Sequence, residues 1–158
     1  MANFYTAEAT LQASNVDRTR ISAEDVGGRQ RVAIVKYTSV GTEVNGDTLQ
    51  LLKVTQPIIV DPTQSSVWCE GIFAGTSATI DIGDDPLWTD VTPDIDRFAD
   101  GVSIFSAGLR LFTSGTLPAS TSVPFTTTEA GYLTSTLNLG ATATAGIDLT
   151  FRIVYTVK

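Results

Sequence analysis

Near the C-terminus the chain alternates almost perfectly between apolar and polar positions. Ile147, Leu149, Phe151, Ile153, Tyr155 and Val157 are apolar, Asp148, Thr150, Arg152 and Thr156 are polar, and Val154 alone breaks the rule. Successive side chains of a strand point to opposite faces, so this stretch predicts a strand with one packed and one wet face. A slip of one residue would turn the whole apolar row to water, which fixes its register. One wet face is the habit of antiparallel sheets.

Shorter stretches of the same kind recur upstream. Val32, Ala33, Ile34, Val35, Lys36 and Tyr37 form a β-branched run, and residues 42–44 read as a short strand ahead of the Asn45-Gly46-Asp47 turn. Residues 48–54, 58–60 and 67–73 follow, with a loop at Asp61-Pro62. Residues 77–82 alternate, placing Ala78, Ile80 and Ile82 on one side and Thr79 and Asp81 on the other; Gly83-Asp84-Asp85-Pro86 is expected to end that strand. Residues 92–101 read as one short helix, with Thr92 as N-cap, Pro93 at the first helical position, Asp94 and Asp96 facing the positive helix end, and Gly101 as the C-terminal stop. Strands are expected at 109–113 and 132–139, the latter with Leu133, Leu137 and Leu139 on one face. Between them, 114–129 is a Thr/Ser/Pro-rich surface loop, and 140–146 is a turn of small residues.

Many short strands, turns between them and one short helix predict an all-β protein, an antiparallel β-sandwich or jelly roll. Residues 1–30 lack a clean period and are read as an N-terminal arm, with the β-sandwich domain at 31–158. A chain of 158 residues fits one domain that needs no disulfide or metal to fold.

Composition narrows the function. There is no histidine and one cysteine, which excludes His-based triads, His-ligated zinc, internal disulfides and cysteine metal clusters. The net charge is -7 and the pI about 4.3, so neither nucleic acid nor an anionic membrane is an expected partner. Only 17% of residues are charged, and 24 Thr with 12 Ser take their place, as suits hydroxyl-rich sheet faces or surfaces covered by other subunits. The start carries neither a basic nor an apolar leader segment, and Cys69 reads as a small buried hydrophobe; the chain is expected to be made in a reducing cytoplasm.

Three groups of residues could carry chemistry. Seven of the twelve aspartates (Asp81, Asp84, Asp85, Asp90, Asp94, Asp96, Asp100) fall between 81 and 100, but without the spacing of an EF-hand. They read as turn formers, helix-end partners and solubilisers, with Ca²⁺ as the alternative; no cofactor is expected. A glycosidase would need two carboxylates across an aromatic-lined cleft, for which Glu70, Asp81, Trp68 and Trp88 are present but not fixed in separation. No reaction follows, and a structural or binding role is expected rather than an enzyme. Trp68 lies in an apolar stretch and is expected in the core, whereas Trp88, in a Pro/Asp-rich loop, is the surface aromatic. In the arm, Phe4, Tyr5 and Leu11 are isolated large apolar residues that can order on a partner, or belong to a frayed end.

The run Ser77-Ala78-Thr79-Ile80-Asp81-Ile82-Gly83-Asp84-Asp85, then Asp94-Ile95-Asp96-Arg97-Phe98-Ala99-Asp100-Gly101, then Gly140-Ala141-Thr142-Ala143-Thr144-Ala145-Gly146 before an aromatic-ending strand, resembles virion structural proteins of tailed bacteriophages. The resemblance is to head decoration (cement) proteins and spans about residues 45–158. It implies a homotrimer on the outer surface of the capsid that contacts the major capsid protein and stabilises the shell, with no catalytic residues. It further implies that the arm lies across a neighbouring capsid subunit or knits the trimer, so Phe4, Tyr5, Leu11 and Trp88 are the expected partner-binding residues. The alternative is a head-fibre, tail or receptor-binding component that recognises a host surface glycan through Trp88 and the 114–129 loop. A free carbohydrate-binding module or adhesin fits less well, since such modules act outside the cell.

Overall fold

The alternating stretches form strands, and the strands pair in a nested order. In the computed structural model, which describes residues 3–5, 30–87, 92–116, 127 and 130–157, they are β1 (Asn3–Tyr5), β2 (Gln30–Thr38), β3 (Thr48–Val54), β4 (Ile58–Val60), β5 (Ser66–Cys69), β6 (Thr79–Pro86), β7 (Asp94–Ser103), β8 (Gly108–Leu111), β9 (Gly131–Asn138) and β10 (Asp148–Val157). Four antiparallel pairs, β2 with β10, β3 with β9, β5 with β8 and β6 with β7, lie inside one another like the rungs of one long hairpin. A flat hairpin of that length would leave an apolar face in water. Folded over, it sets β10 beside β5 and β9 beside β6. The first sheet then runs β1-β3-β9-β6-β7 and the second β2-β10-β5-β8, with β4 also on β10. This is a jelly-roll β-sandwich, as the alternation predicts. The N-terminal Asn3–Tyr5 joins β3 in parallel, with Phe4 opposite Leu49.

The core lies between the two inner faces. Phe151, Leu149 and Ile153 of β10 are fully buried, and they share it with Phe73, Phe98, Phe112, Leu133 and Leu137. In β3 the run Leu49-Gln50-Leu51-Leu52 breaks strict alternation because the pairing with β9 shifts between Gln50 and Leu52. The extra residue lets Leu49 and Leu52 both point inward opposite Ser135 and Leu133.

Several local expectations are corrected. The helix expected at 92–101 is strand β7, and the described residues contain only a 3₁₀ turn, Phe112–Ser114. Capping residues favour a short helix only weakly, whereas the open edge of β6 needs a partner and Phe98, Ala99 and Val102 need the core. Gly101, at φ +73°, provides the turn of backbone that the irregular β7 requires. The expected break at 83–86 is also absent, since β6 continues to Pro86. Residues 42–44 form no strand, and the strand expected at 67–73 ends at Cys69, although Phe73 is still buried.

Gly83 explains why β6 continues. A β-carbon there would lie 2.0 Å from the carbonyl oxygen of Asp94 and 2.4 Å from the carbonyl carbon of Ile95, so only glycine lets β7 press this close. Gly83→Ala is expected to cost about 1–3 kcal/mol by forcing β7 away, and so to lower the melting temperature by roughly 2–12 °C. A thermal melt followed by circular dichroism measures this, and an unchanged transition would show that β7 moves freely.

Candidate interaction surface

The outer face of the second sheet carries several exposed large apolar side chains. Register places Lys36, Thr150, Trp68 and Leu109 in one row across β2, β10, β5 and β8. The next row holds Ile34, Arg152, Ser66 and Leu111, and Val32 beside Val154 begins a third. Val32, Ile34, Trp68, Leu109 and Leu111 are all exposed. Strands about 4.8 Å apart and rows about 6.8 Å apart give this face an area on the order of 400 Å². Its exposed apolar side chains form two clusters, Val32 and Ile34 on one side of Thr150 and Arg152, and Trp68, Leu109 and Leu111 on the other, and they make this face the candidate interaction site.

Trp68 is therefore corrected. It was expected in the core, but it is 46% exposed while its neighbours Val67 and Cys69 are buried. The reason is parity. Cys69 hydrogen-bonds to the Gly71 carbonyl on the inner side and burial pushes its thiol up, so Trp68 must face out. The signal was present in the sequence: Val32 and Ile34 share parity with Gln30, Lys36 and Thr38, and Trp68 shares it with Ser66 and Glu70. A β-branched run hides this, because both parities are apolar.

The charges on this face nearly cancel. Lys36 pairs with Asp148, whose hydrogen bond and charge lift the ammonium above its ordinary value, while Lys36 and Thr38 hold the Asp148 carboxyl below its own. Arg152 donates to the Gln64 carbonyl, and its charge is balanced on this face by Glu70, which lies beside Lys36 and Asp148.

The flank formed by β6 and β7 is the reverse. Asp81 accepts from the Gly101 amide at 2.9 Å and from the Asn138 side chain at 2.7 Å. Arg97 bridges Asp84 at 2.9 Å and Asp94 at 3.2 Å. Asp85, Asp94 and Asp100 are each pushed above the usual carboxyl range, first by burial and then by the neighbouring Asp84, Asp96 and Asp81. Asp81, Asp84 and Asp94 thus serve as internal partners, Asp90 lies outside the described residues, and among the described residues no three acidic or cysteine side chains form a metal-ligand group. Two apolar side chains project from this acidic flank, Leu87 and Ile95, 50% and 49% exposed.

A third region, the loops at one end of the sandwich, is rigidly tied. Glu43 is fully buried, and its carboxylate accepts from the amides of Val40 (2.7 Å), Gly41 (2.9 Å) and Thr42 (3.0 Å) and from the Tyr37 hydroxyl. Burial pushes this carboxyl up, but the Tyr37 hydroxyl and the loop amides outweigh it and hold it below its ordinary value. Burial, then Glu43, push the Tyr37 hydroxyl upward, so it remains a donor. The Ala143 amide bonds the Glu43 carbonyl, and the Thr144 amide bonds that of Phe73, which knits three loops together. Val40, Val44 and Ile72 are exposed on them.

Of the expected partner-binding residues, Phe4 and Tyr5 lie on β1 at the margin of the first sheet, away from the apolar face of the second. Leu11 and Trp88, and most of the 114–129 loop, lie outside the described residues. No described helix is long and apolar enough to cross a membrane.

The fold is shared with chains of phage capsids. No protein-family model matches the sequence, and no curated protein matches it. Among solved structures it is similar to a chain of the capsid of Ralstonia phage GP4, with a TM-score of 0.66 at 13% identity over 99% of both chains. It is also similar to a chain of the cyanophage Pam1 capsid asymmetric unit, with a TM-score of 0.55 at 13% identity over 84% of this chain and 88% of that one. At such identity the likeness is one of fold, and a role has to be argued from the surfaces.

Proposed function

We propose that this protein is a phage capsid decoration (cement) protein, a non-enzymatic component of the virion. It binds the outside of the assembled head, contacts the major capsid protein, bridges neighbouring subunits and stabilises the shell. The observation that carries this reading is an exposed apolar sheet face on a jelly roll whose fold is matched from end to end by a chain of a phage capsid. The acidic composition of the chain fits contact with protein rather than nucleic acid or lipid. Each copy need contribute only modest binding energy, because a homotrimer on a regular lattice binds with avidity. The arm, with Phe4, Tyr5 and Leu11, adds contact area with a neighbour, as does Trp88.

The test is co-sedimentation. Purified protein is added to heads that lack it, and separately to unassembled capsid subunits. It is expected to sediment with the heads, to leave the free subunits alone, and to raise the temperature at which the heads release DNA. Failure to sediment with heads, or equal binding to free subunits, would overturn the reading. The alternative receptor-binding role predicts instead that Trp88→Ala reduces adsorption to host cells.

A further inference from the structure

We propose that Asn45 is a self-modifying site: its side-chain amide is lost to attack by the Gly46 nitrogen, and the fold withholds that reaction until the turn lifts away from β9. The inference is independent of any partner the protein binds.

The chemistry needs water and no enzyme. The backbone nitrogen of Gly46 attacks the side-chain carbonyl carbon of Asn45. The proton that nitrogen sheds is carried by water to the departing amide group, which leaves as ammonia, and a five-membered succinimide closes. Water then opens the ring at either carbonyl. One opening gives aspartate; the other gives isoaspartate, in which the main chain runs through the side-chain carbon. A glycine in the second position favours the attack because it has no β-carbon to crowd the nitrogen. Asn45 is the one asparagine of four that precedes glycine, since Asn3, Asn15 and Asn138 precede Phe4, Val16 and Leu139. It is exposed, so water reaches it.

The geometry nevertheless holds both reacting groups apart. The Asp47 amide donates to the Val44 carbonyl at 3.1 Å and closes a four-residue turn. Gly46 has φ +88° and Asn45 a negative φ, the combination of a type II turn. Asn45 then sits near a ψ of about +120°, which points the Gly46 nitrogen away from the Asn45 β-carbon. The ring cannot close until that peptide rotates, because attack requires the two atoms to be brought face to face. Strand β9 opposes the rotation at both groups. The Gly46 amide donates to the Leu137 carbonyl at 2.8 Å, and the Asn45 side-chain oxygen accepts from the Leu139 amide at 2.9 Å. The buried Asp47 adds further ties: its carbonyl accepts from the Leu137 amide at 2.8 Å and its carboxylate from the Val44 amide at 2.9 Å. With β3 on one side and β6 on the other, β9 is a fixed anchor. The two hydrogen bonds on the reacting groups alone make the open turn roughly 30-fold rarer.

The two products differ in what they permit. Aspartate at position 45 keeps a side-chain oxygen for the Leu139 amide. Isoaspartate puts an extra carbon into the main chain ahead of Gly46, so the type II turn and the bond from Gly46 to Leu137 cannot both form again. Conversion is therefore one-way, and it marks a chain whose turn has opened. It falls in the loop that also holds Glu43, at the end of the sandwich where the loops are knit together.

The experiment compares the full chain folded in buffer with the same chain unfolded in urea, at one temperature and one mildly alkaline pH. Conversion of Asn45 is followed by peptide mapping with mass spectrometry, and isoaspartate by enzymatic methylation. In urea Asn45 is expected to convert ahead of the other three asparagines; in the folded protein it is expected to convert at least about 30-fold more slowly. Asn45→Asp supplies the aspartate product alone and is expected to melt within about 3 °C of wild type. Chains converted in urea and returned to buffer are expected to lose the native melting transition in proportion to their isoaspartate content. A folded rate equal to or above the unfolded one would overturn the inference, since the turn would not withhold the reaction. An Asn45 that stays intact in urea would overturn it as a site. Isoaspartate chains that regain the native transition would overturn the one-way step.

Discussion

Phe151→Ala is expected to be the most damaging single change in the core, at about 3–5 kcal/mol, which lowers the melting temperature by roughly 6–20 °C. Phe151 is fully buried in the middle of β10, the strand with the most neighbours. It lies opposite Val35 of β2 on one side and Val67 of β5 on the other. Truncation opens a cavity where two inner faces meet, and strands held in register on both sides have little freedom to collapse into it. A thermal melt of Phe151→Ala beside Phe151→Leu is the measurement. Leucine should recover most of the loss because it refills most of the volume. A melting temperature within about 3 °C of wild type for the alanine variant would show that this site relaxes, contrary to the packing argument.

Glu43→Gln is the second. It is expected to cost about 3 kcal/mol near neutral pH, because it leaves loop amides facing a carboxamide that cannot accept from all of them. The corresponding drop in melting temperature is roughly 6–12 °C. Its pH dependence carries the sharper information. The carboxyl is held below its ordinary value in the folded protein, so its contribution is fully present above the unfolded value and is lost as pH falls through the folded one. The gap between wild type and Glu43→Gln should therefore be wide at pH 7 and narrow as the solution is acidified below about pH 4. Asp85, Asp94 and Asp100 act in the opposite sense, since their raised values mean that acid relieves a cost. They are common to both proteins and cancel in the difference. A gap that stays constant from pH 7 to pH 3 would show that Glu43 does not hold the loop as a carboxylate.

The site was partly legible in advance. Parity marks Val32, Ile34 and Trp68 as outward, because each shares its parity with polar neighbours in its own strand. What hid the face was its apolar character on both parities, which reads as a buried strand until the sheets are assembled. The flank was hidden differently. Residues 92–101 carry helix-capping residues in the right order, and only the edge of β6 turns them into a strand that presents Ile95 between aspartates. Glu43 gave no signal at all, since a lone acid in a short polar stretch reads as a solvated turn.

By itself the sequence determined the fold class, most of the strand positions and the register of β10. Period and parity are local, and burying an apolar row leaves one solution for each strand. It also determined the exclusions, because chemistry that needs histidine or paired cysteines fails where those residues are missing. The tertiary structure alone decided which side of each apolar run meets water, that 94–103 is a strand, and that the loops holding Glu43, Phe73 and Ala143 are knit together. Each of these depends on a partner distant in sequence, a sheet edge to be filled or a carbonyl of another loop to be met, and such demands override local preference once the chain has folded over on itself.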